Sequence, residues 1–228
     1  MKIFAISGLG ADERVFNYLK LKYEVVPLPW IAPLLHESII DYCRRLISTY
    51  RLDKENNFSL LGVSFGGMIA VELGKLLSPK LIILISSVRV RKELPLLFRV
   101  FSKLRVIEGI PHQVLIPPVW LAKILFRTNN PLIAAILKDT DTKFTKWAIR
   151  EIVNWENNYL HKNIIKITGE KDIVLPPTDD TSLIIPNAGH FMIVDNATTL
   201  TDLINDKIAF KLNNSSARWK IIGQQVMM

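Results

Sequence analysis

Short apolar runs alternate with helix-period stretches over the first 88 residues. Ile3 to Ser7, Tyr23 to Pro27, Phe58 to Val63 and Leu81 to Val88 read as strands. Between them, Glu13 to Lys20 reads as a short helix, Glu37 to about Tyr50 as a longer one, and Met68 to Leu77 as a third. Pro27, Pro29, Pro33 and Pro79 fall between these elements, where proline belongs. Buried strands that alternate with helices imply βαβ units and a parallel sheet.

The rhythm changes at Arg89. From there to Tyr159 no strand pattern occurs. Leu94, Leu97, Phe98, Phe101 and Leu104 recur at helical spacing, as do Phe144, Trp147, Ala148, Ile152 and Trp155. Asp141 or Thr142 is the N-cap expected for the second stripe. Pro111, Pro117, Pro118 and Pro131 cut the intervening chain into short helices. Strand patterns return at Ile164 to Thr168 and Ser182 to Ile185, followed by a helix from about Phe191 to Phe210. The expected organisation is an α/β core of residues 1–88 and 160–210, with residues 89–159 inserted as a helical cap. Residues 211–228 form a polar tail with an amphipathic remnant around Trp219 to Ile222, to which the pattern assigns no order.

At 228 residues and 49% apolar, one compact domain with room for an insertion is expected. The apolar run at the N-terminus ends at Gly8, too short for a secretory signal, and it reads better as a first strand. No apolar run reaches membrane-spanning length. The single cysteine, Cys43, excludes an internal disulfide and sits in a helix pattern as a small core residue. A soluble, cytoplasmic protein is the expectation. The net charge of +8 is concentrated: Arg89 to Lys162 holds 13 Lys and Arg against 6 Asp and Glu, and the rest holds 16 against 15. These cations interleave with leucines at helical spacing and no nucleic-acid motif accompanies them. Solvated outer helix faces are the favoured reading, contact with an anionic membrane surface the lesser one, and nucleic acid is not expected.

The chemistry centres on Gly62-Val63-Ser64-Phe65-Gly66, placed between a strand and a helix. In that context the pattern reads as a nucleophile elbow, a strained turn that holds the Ser64 hydroxyl above the sheet. Gly62 and Gly66 suit backbones of strand and helix that pass too close for a Cβ, and Gly67 suits tight packing of the helix on the sheet. A serine hydroxyl needs a base. Of four histidines, His36 stands at a helix start, His112 lies in the cap and His161 precedes a strand. Only His190 follows a strand and turn, which puts it on the Ser64 edge of a parallel sheet. Asp172, in Gly169-Glu170-Lys171-Asp172, follows a strand to the same edge and is the expected partner of His190. Glu170 is its rival. Asp179 and Asp180 precede their strand, and Asp195 lies on the final helix.

A tetrahedral oxyanion needs donors. The N–H of Phe65 follows the nucleophile, and the N–H of Leu9 lies in the loop Ser7-Gly8-Leu9-Gly10 after the first strand. That loop is a weak dinucleotide site, because position 13 is Glu13 where a third glycine would be needed. No phosphate loop and no His/Cys cluster with metal-ligand spacing is present, so no cofactor or metal is implied.

Together, Ile6-Ser7-Gly8-Leu9-Gly10, Leu61 to Gly67, Gly169 to Asp172 and Ala188-Gly189-His190 resemble the α/β-hydrolase superfamily over roughly residues 1 to 210, in its order of serine, acid and histidine. Ser7 departs from the histidine that many members carry there, and the superfamily's first two strands are expected to be absent. The resemblance implies a serine hydrolase of ester or similar acyl bonds, with Ser64, His190 and Asp172 as its triad and a small, partly apolar acyl substrate. A lyase or carbon–carbon hydrolase on the same triad is the alternative within the fold. A non-catalytic small-ligand binder is the alternative outside enzymes. Oligomeric state is not legible in the sequence.

Overall fold

A computed structural model describes residues 1–104, 109, 111, 115–178 and 182–225, with residues 101–104 and 212–225 described through their backbone alone. Six strands form one sheet: β1 Lys2–Ile6, β2 Glu24–Pro27, β3 Phe58–Val63, β4 Ile82–Ile85, β5 Ile164–Gly169 and β6 Leu183–Ile185. Their order is β2-β1-β3-β4-β5-β6 and every neighbouring pair is parallel. The chain therefore moves one way from β1 to β2 and the other way from β3 onward. Ligands in open parallel sheets bind at such a reversal, beyond the C-terminal strand ends. Here that point lies between β1 and β3. Among the described residues no strand lies beyond β2.

Side chains alternate across the sheet. Phe4, Ile6, Leu60, Ile82 and Leu84 face one core, which α1 (Ile39–Tyr50) and α2 (Phe65–Leu76) cover. Ile3, Ala5, Leu61, Ile83, Ile85 and Ile167 face the other, under the 3-10 turn Glu13–Tyr18 and the C-terminal helices. Burial of Ile39, Tyr42, Cys43 and Leu46 gives α1 a single apolar face, with the Ser38 hydroxyl accepting from the Asp41 N–H at its start. In contrast, α2 is buried from Phe65 to Gly74, as a helix apolar all round must be.

Among the described residues, four α-helices lie between β4 and β5: α3 Leu96–Leu104, α4 Val119–Phe126, α5 Leu132–Asp139 and α6 Thr142–Asn154. Asp141 caps α6 by accepting from the Lys143 and Phe144 N–H groups. After β6 come α7 Met192–Asp195 and α8 Ala197–Gln225. None of the described helices is long and apolar enough to cross a membrane.

Several boundaries differ from the sequence pattern. β4 stops at Ile85 rather than Val88, because Ser86 takes a left-handed φ of 47° that ends the strand. The single final helix is two, divided at Asn196, and its second part continues through the segment read as a tail. The helix after Ser64 starts three residues earlier, at Phe65. On the α3 stripe Leu94 is buried but Leu97 is 63% exposed. His112, Asp179 and Asp180 lie outside the described residues.

Candidate active site

Ser64 sits between β3 and α2 with φ 51° and ψ −120°, a conformation that a non-glycine residue holds only when its surroundings impose it. Those surroundings are specific. The Ser64 N–H donates to the Ile85 carbonyl at 3.0 Å, and the buried Ser87 hydroxyl donates to the Ser64 carbonyl at 2.6 Å. A Cβ on Gly62 would collide with the backbone of Gly66 and Gly67, as strand and helix fold back on each other. Gly66 has a different reason from the one its place in the motif suggests. Its Cβ would strike the carbonyls of Ile6 and Ser7, so it lets α2 start against the end of β1. The elbow and the loop after β1 are thereby held together, and Gly8 comes within 3.3 Å of the Ser64 Cβ if given a side chain.

His190 and Asp172 come to the same place. His190 Nε2 lies 3.0 Å from Ser64 Oγ, and its Nδ1 lies 2.8 Å from Asp172 Oδ2. Asp172 is 2% exposed and His190 7%. The other carboxylate oxygen, Asp172 Oδ1, accepts from the Val174 and Leu175 N–H groups, both at 2.9 Å. A carboxylate that accepts on both oxygens leaves the imidazole proton on Nδ1, so Nε2 presents its lone pair to the serine hydroxyl. Glu170 is placed elsewhere: it is exposed, and its carboxylate accepts from the Asn187 N–H at 2.7 Å. It shapes the turn before His190 without touching the ring. Asp195 lies at the end of α7, where burial pushes its carboxyl up against the opposing pull of a hydrogen bond from Thr128.

Phe65 opens α2, so its N–H is one of the first-turn groups with no partner inside the helix. The loop Gly8 to Ala11 is a tight turn closed by the Ala11 N–H on the Gly8 carbonyl at 3.0 Å, with Gly10 at φ 74°. Ser7 has a job that the sequence does not reveal. Its buried hydroxyl donates to the Ala11 carbonyl at 2.8 Å, which also accepts from the Trp30 indole at 3.1 Å. Leu9 lies in this braced turn and lines the cavity beside Ser64.

That cavity is about 110 Å³, and among the described residues no charged side chain stands in its wall. Val15 and Val63 come from the core, Leu115, Ile116 and Phe126 from the segment around α4, and Ile133, Ile136 and Leu137 from α5. A second cavity of about 210 Å³ shares Gly10, Ala11, Ile136 and Thr140 with the first and is walled by Trp30 and Phe144. Leucines and a phenylalanine of the 89–159 segment line the first cavity, but its tryptophans do not. Trp147 and Trp155 pack into the core against α1 and α2, and Trp120 is 64% exposed. Trp147 instead donates to the Glu37 carbonyl at 2.9 Å, and Trp155 to the buried Glu72 carboxylate at 2.7 Å. α6 thus docks the cap, while α4 and α5 shape the cavity.

Three residues at the site escape a reading of the sequence. Ser87 braces the elbow, Phe126 stacks on His190 with ring centroids 5.3 Å apart, and the Thr140 hydroxyl donates to the Gly10 carbonyl at 3.1 Å. None sits in a motif, and each matters only through a neighbour distant in sequence.

Neither a protein-family model nor a curated protein matches the sequence. Solved structures do match along nearly its whole length. An esterase from Exiguobacterium antarcticum is 16% identical with a TM-score of 0.69, covering 92% of this chain and 91% of that one. A thermophilic esterase from Thermogutta terrifontis is 16% identical with a TM-score of 0.67, covering 92% and 90%. The RedJ thioesterase of the prodiginine pathway in Streptomyces coelicolor is 13% identical with a TM-score of 0.62, covering 90% and 89%. With the six-stranded parallel sheet, the helices between β4 and β5 and these neighbours together, the chain has the α/β-hydrolase fold.

Proposed function

We propose that the protein is a serine hydrolase that cleaves carboxylic ester or similar acyl bonds of a small, partly apolar substrate through an acyl-enzyme. The observation that carries this is the unbroken run of contacts from Asp172 to His190 to Ser64, ending in an uncharged cavity. Esterases and a thioesterase among the structural neighbours support acyl chemistry of this kind.

In this mechanism, Ser64 Oγ attacks the acyl carbonyl as its proton passes to His190 Nε2. Asp172 holds the imidazole in the required tautomer and stabilises the imidazolium. The N–H groups of Phe65 and Leu9 receive the developing oxyanion. His190 then returns the proton to the leaving alcohol or thiol, and the acyl group stays on Ser64. Water repeats the sequence against the acyl-enzyme, with His190 again as base, and releases the acid. The Ser64 backbone, with φ 51° and ψ −120°, lies outside the ordinary left-handed region as well as the right-handed one, and such stored strain supports the nucleophilic role.

The test is hydrolysis of short p-nitrophenyl esters by the purified protein and by Ser64→Ala. Turnover in the wild type and its loss in a folded Ser64→Ala protein is the expected result, with residual catalysis over water on the order of 10³-fold at most. Equal turnover by both proteins rules out Ser64 as nucleophile.

A further inference from the structure

The end of α4 rests directly on the loop that carries His190. The Phe126 ring stacks on the imidazole at an interplanar angle of 29°, and the Phe126 carbonyl accepts from the Phe191 N–H at 3.2 Å. Gly189 makes the approach feasible, because a Cβ there would meet Phe126 O at 2.8 Å and Arg127 Cβ at 2.6 Å. Arg127 closes the helix in a left-handed conformation, φ 51°, and the Thr128 N–H returns to the Lys123 carbonyl at 3.0 Å. Thr128 in turn lies near enough to Asp195, just past the histidine loop, to favour its charged carboxylate. The contact is therefore a built junction between the inserted helices and the core.

The stack addresses a freedom that the hydrogen bonds leave open. The imidazole swings about its Cβ–Cγ bond, a motion that the two hydrogen bonds restrain only softly and that the broad χ2 minimum of histidine resists weakly. A flat aromatic face against one side of the ring blocks it. The same electron-rich face attracts the imidazolium that forms when His190 takes the Ser64 proton. Phe126 also lines the cavity, so one side chain touches both the base and the space for the acyl group.

We propose that Phe126 is a positioning residue for His190, through which the inserted helices hold the general base in line with Ser64; this rests on the hydrolase reading above. Phe126 does not touch the reacting bond. Its contribution appears in the chemical step and not in binding of a substrate too short to fill the cavity.

The experiment compares Phe126→Leu, Phe126→Tyr and Phe126→Ala with the wild type on p-nitrophenyl acetate, together with the rate at which a fluorophosphonate probe labels Ser64. In labelling, Ser64 Oγ bonds to phosphorus, the P–F bond breaks, fluoride leaves, and the serine proton passes to His190. Leucine keeps an apolar wall and removes the aromatic face. Phe126→Leu should lower kcat and the labelling rate roughly tenfold, as misplacement of a catalytic group does. Its KM should stay within about twofold, because ground-state binding of acetate is untouched. Phe126→Tyr should restore both rates, and Phe126→Ala should match or exceed the loss in Phe126→Leu. Wild-type kcat and labelling in Phe126→Leu, or no recovery in Phe126→Tyr, overturns the proposal. An unlabelled, inactive wild type instead overturns the hydrolase reading, and the Phe126 proposal with it, so the two failures are distinct.

Discussion

Thr140 Oγ1 donates to the carbonyl of Gly10 at 3.1 Å across 130 residues of chain, tying the junction of α5 and α6 to the loop that carries the Leu9 N–H. The same hydroxyl also reaches the Ile136 carbonyl at 2.8 Å, so its one proton is shared. Beside it, the Arg14 guanidinium bridges Asp12 of the core and Asp139 of α5, at 2.6 and 2.8 Å. The helices between β4 and β5 thus grip the Gly8 to Ala11 loop as well as the histidine loop.

Replacing Thr140 by valine keeps the shape and deletes the hydroxyl. One neutral hydrogen bond is lost, so stability should fall by about 1 kcal/mol. If the tie holds the Leu9 donor in place, kcat on a short ester should fall by a similar factor, roughly fivefold, with KM little changed. Urea unfolding and steady-state kinetics on the same preparation check both. A stability loss with unchanged kcat restricts Thr140 to packing.

Asp172→Asn should lower turnover by up to about 10⁴, because the amide favours the wrong imidazole tautomer. Glu170→Gln should cost far less, since Glu170 accepts only from the exposed Asn187 N–H. The two kcat values on one ester decide it. A reversed ranking moves the acid to Glu170.

Lys166 and Glu93 form an ion pair at 2.9 Å whose side chains are 2% and 3% exposed, joining β5 to the first residues after β4. Burial acts to raise the Glu93 carboxyl, but the Arg89 N–H, the Lys166 ammonium and the Arg89 guanidinium outweigh it and hold it below its ordinary range. Burial pulls the Lys166 ammonium down, against the pull of Glu93. A depressed carboxyl stabilises the fold above its unfolded value and loses that contribution as pH falls through the folded one. The depressed ammonium runs in the same sense at higher pH: its cost to the fold eases as pH rises. Glu93→Gln should therefore cost about 3–5 kcal/mol at neutral pH, as breaking a buried pair does. The gap from wild type should close as pH drops below about 4, the ordinary carboxylate range. Urea midpoints measured from pH 7 to pH 3 test this, and a constant gap counts against it.

The described wall of the cavity is largely aliphatic and aromatic, so each acyl methylene that enters it should add roughly 0.8 kcal/mol to kcat/KM until the space is full. A series of p-nitrophenyl esters from acetate upward should rise and then level off. A flat series would place the acyl group outside this cavity.

Charge gives a separate test. If the basic excess of residues 89–162 guides anionic substrates, kcat/KM for an anionic ester should fall with added salt, because screening reaches about 8 Å at 0.15 M. A neutral ester of the same size should not respond. Equal responses return those cations to ordinary solvated helix faces.

Much of the sheet was legible because buried parallel strands have a strong local signature. β3 matches its pattern from Phe58 to Val63, and β2, β5 and β6 differ by a single residue at one end. The elbow, Asp172 and His190 were legible because chain order and parallel strands together assign a loop to one sheet edge. Other features depend on partners that no local pattern encodes. The break at Asn196, the left-handed Ser86 and the role of Gly66 against β1 are of this kind. Phe126 and Thr140 look in sequence like an apolar helix residue and a capping neighbour, and only the packing of α4 and α5 on two core loops gives them a place at the site.

The order of the triad along the chain bears on how the protein is made. Ser64 leaves the ribosome long before His190, which lies 126 residues later and on the far side of three more strands. At about 5–20 residues per second, the interval is roughly 6–25 s. During it the nascent chain carries the elbow sequence without the histidine proposed as its base and without the full set of the three strands that follow. The hydrolytic capacity proposed for the site would then arrive in one step once His190 has emerged and folded into place, and a chain truncated before residue 190 would have a serine with nothing to activate it.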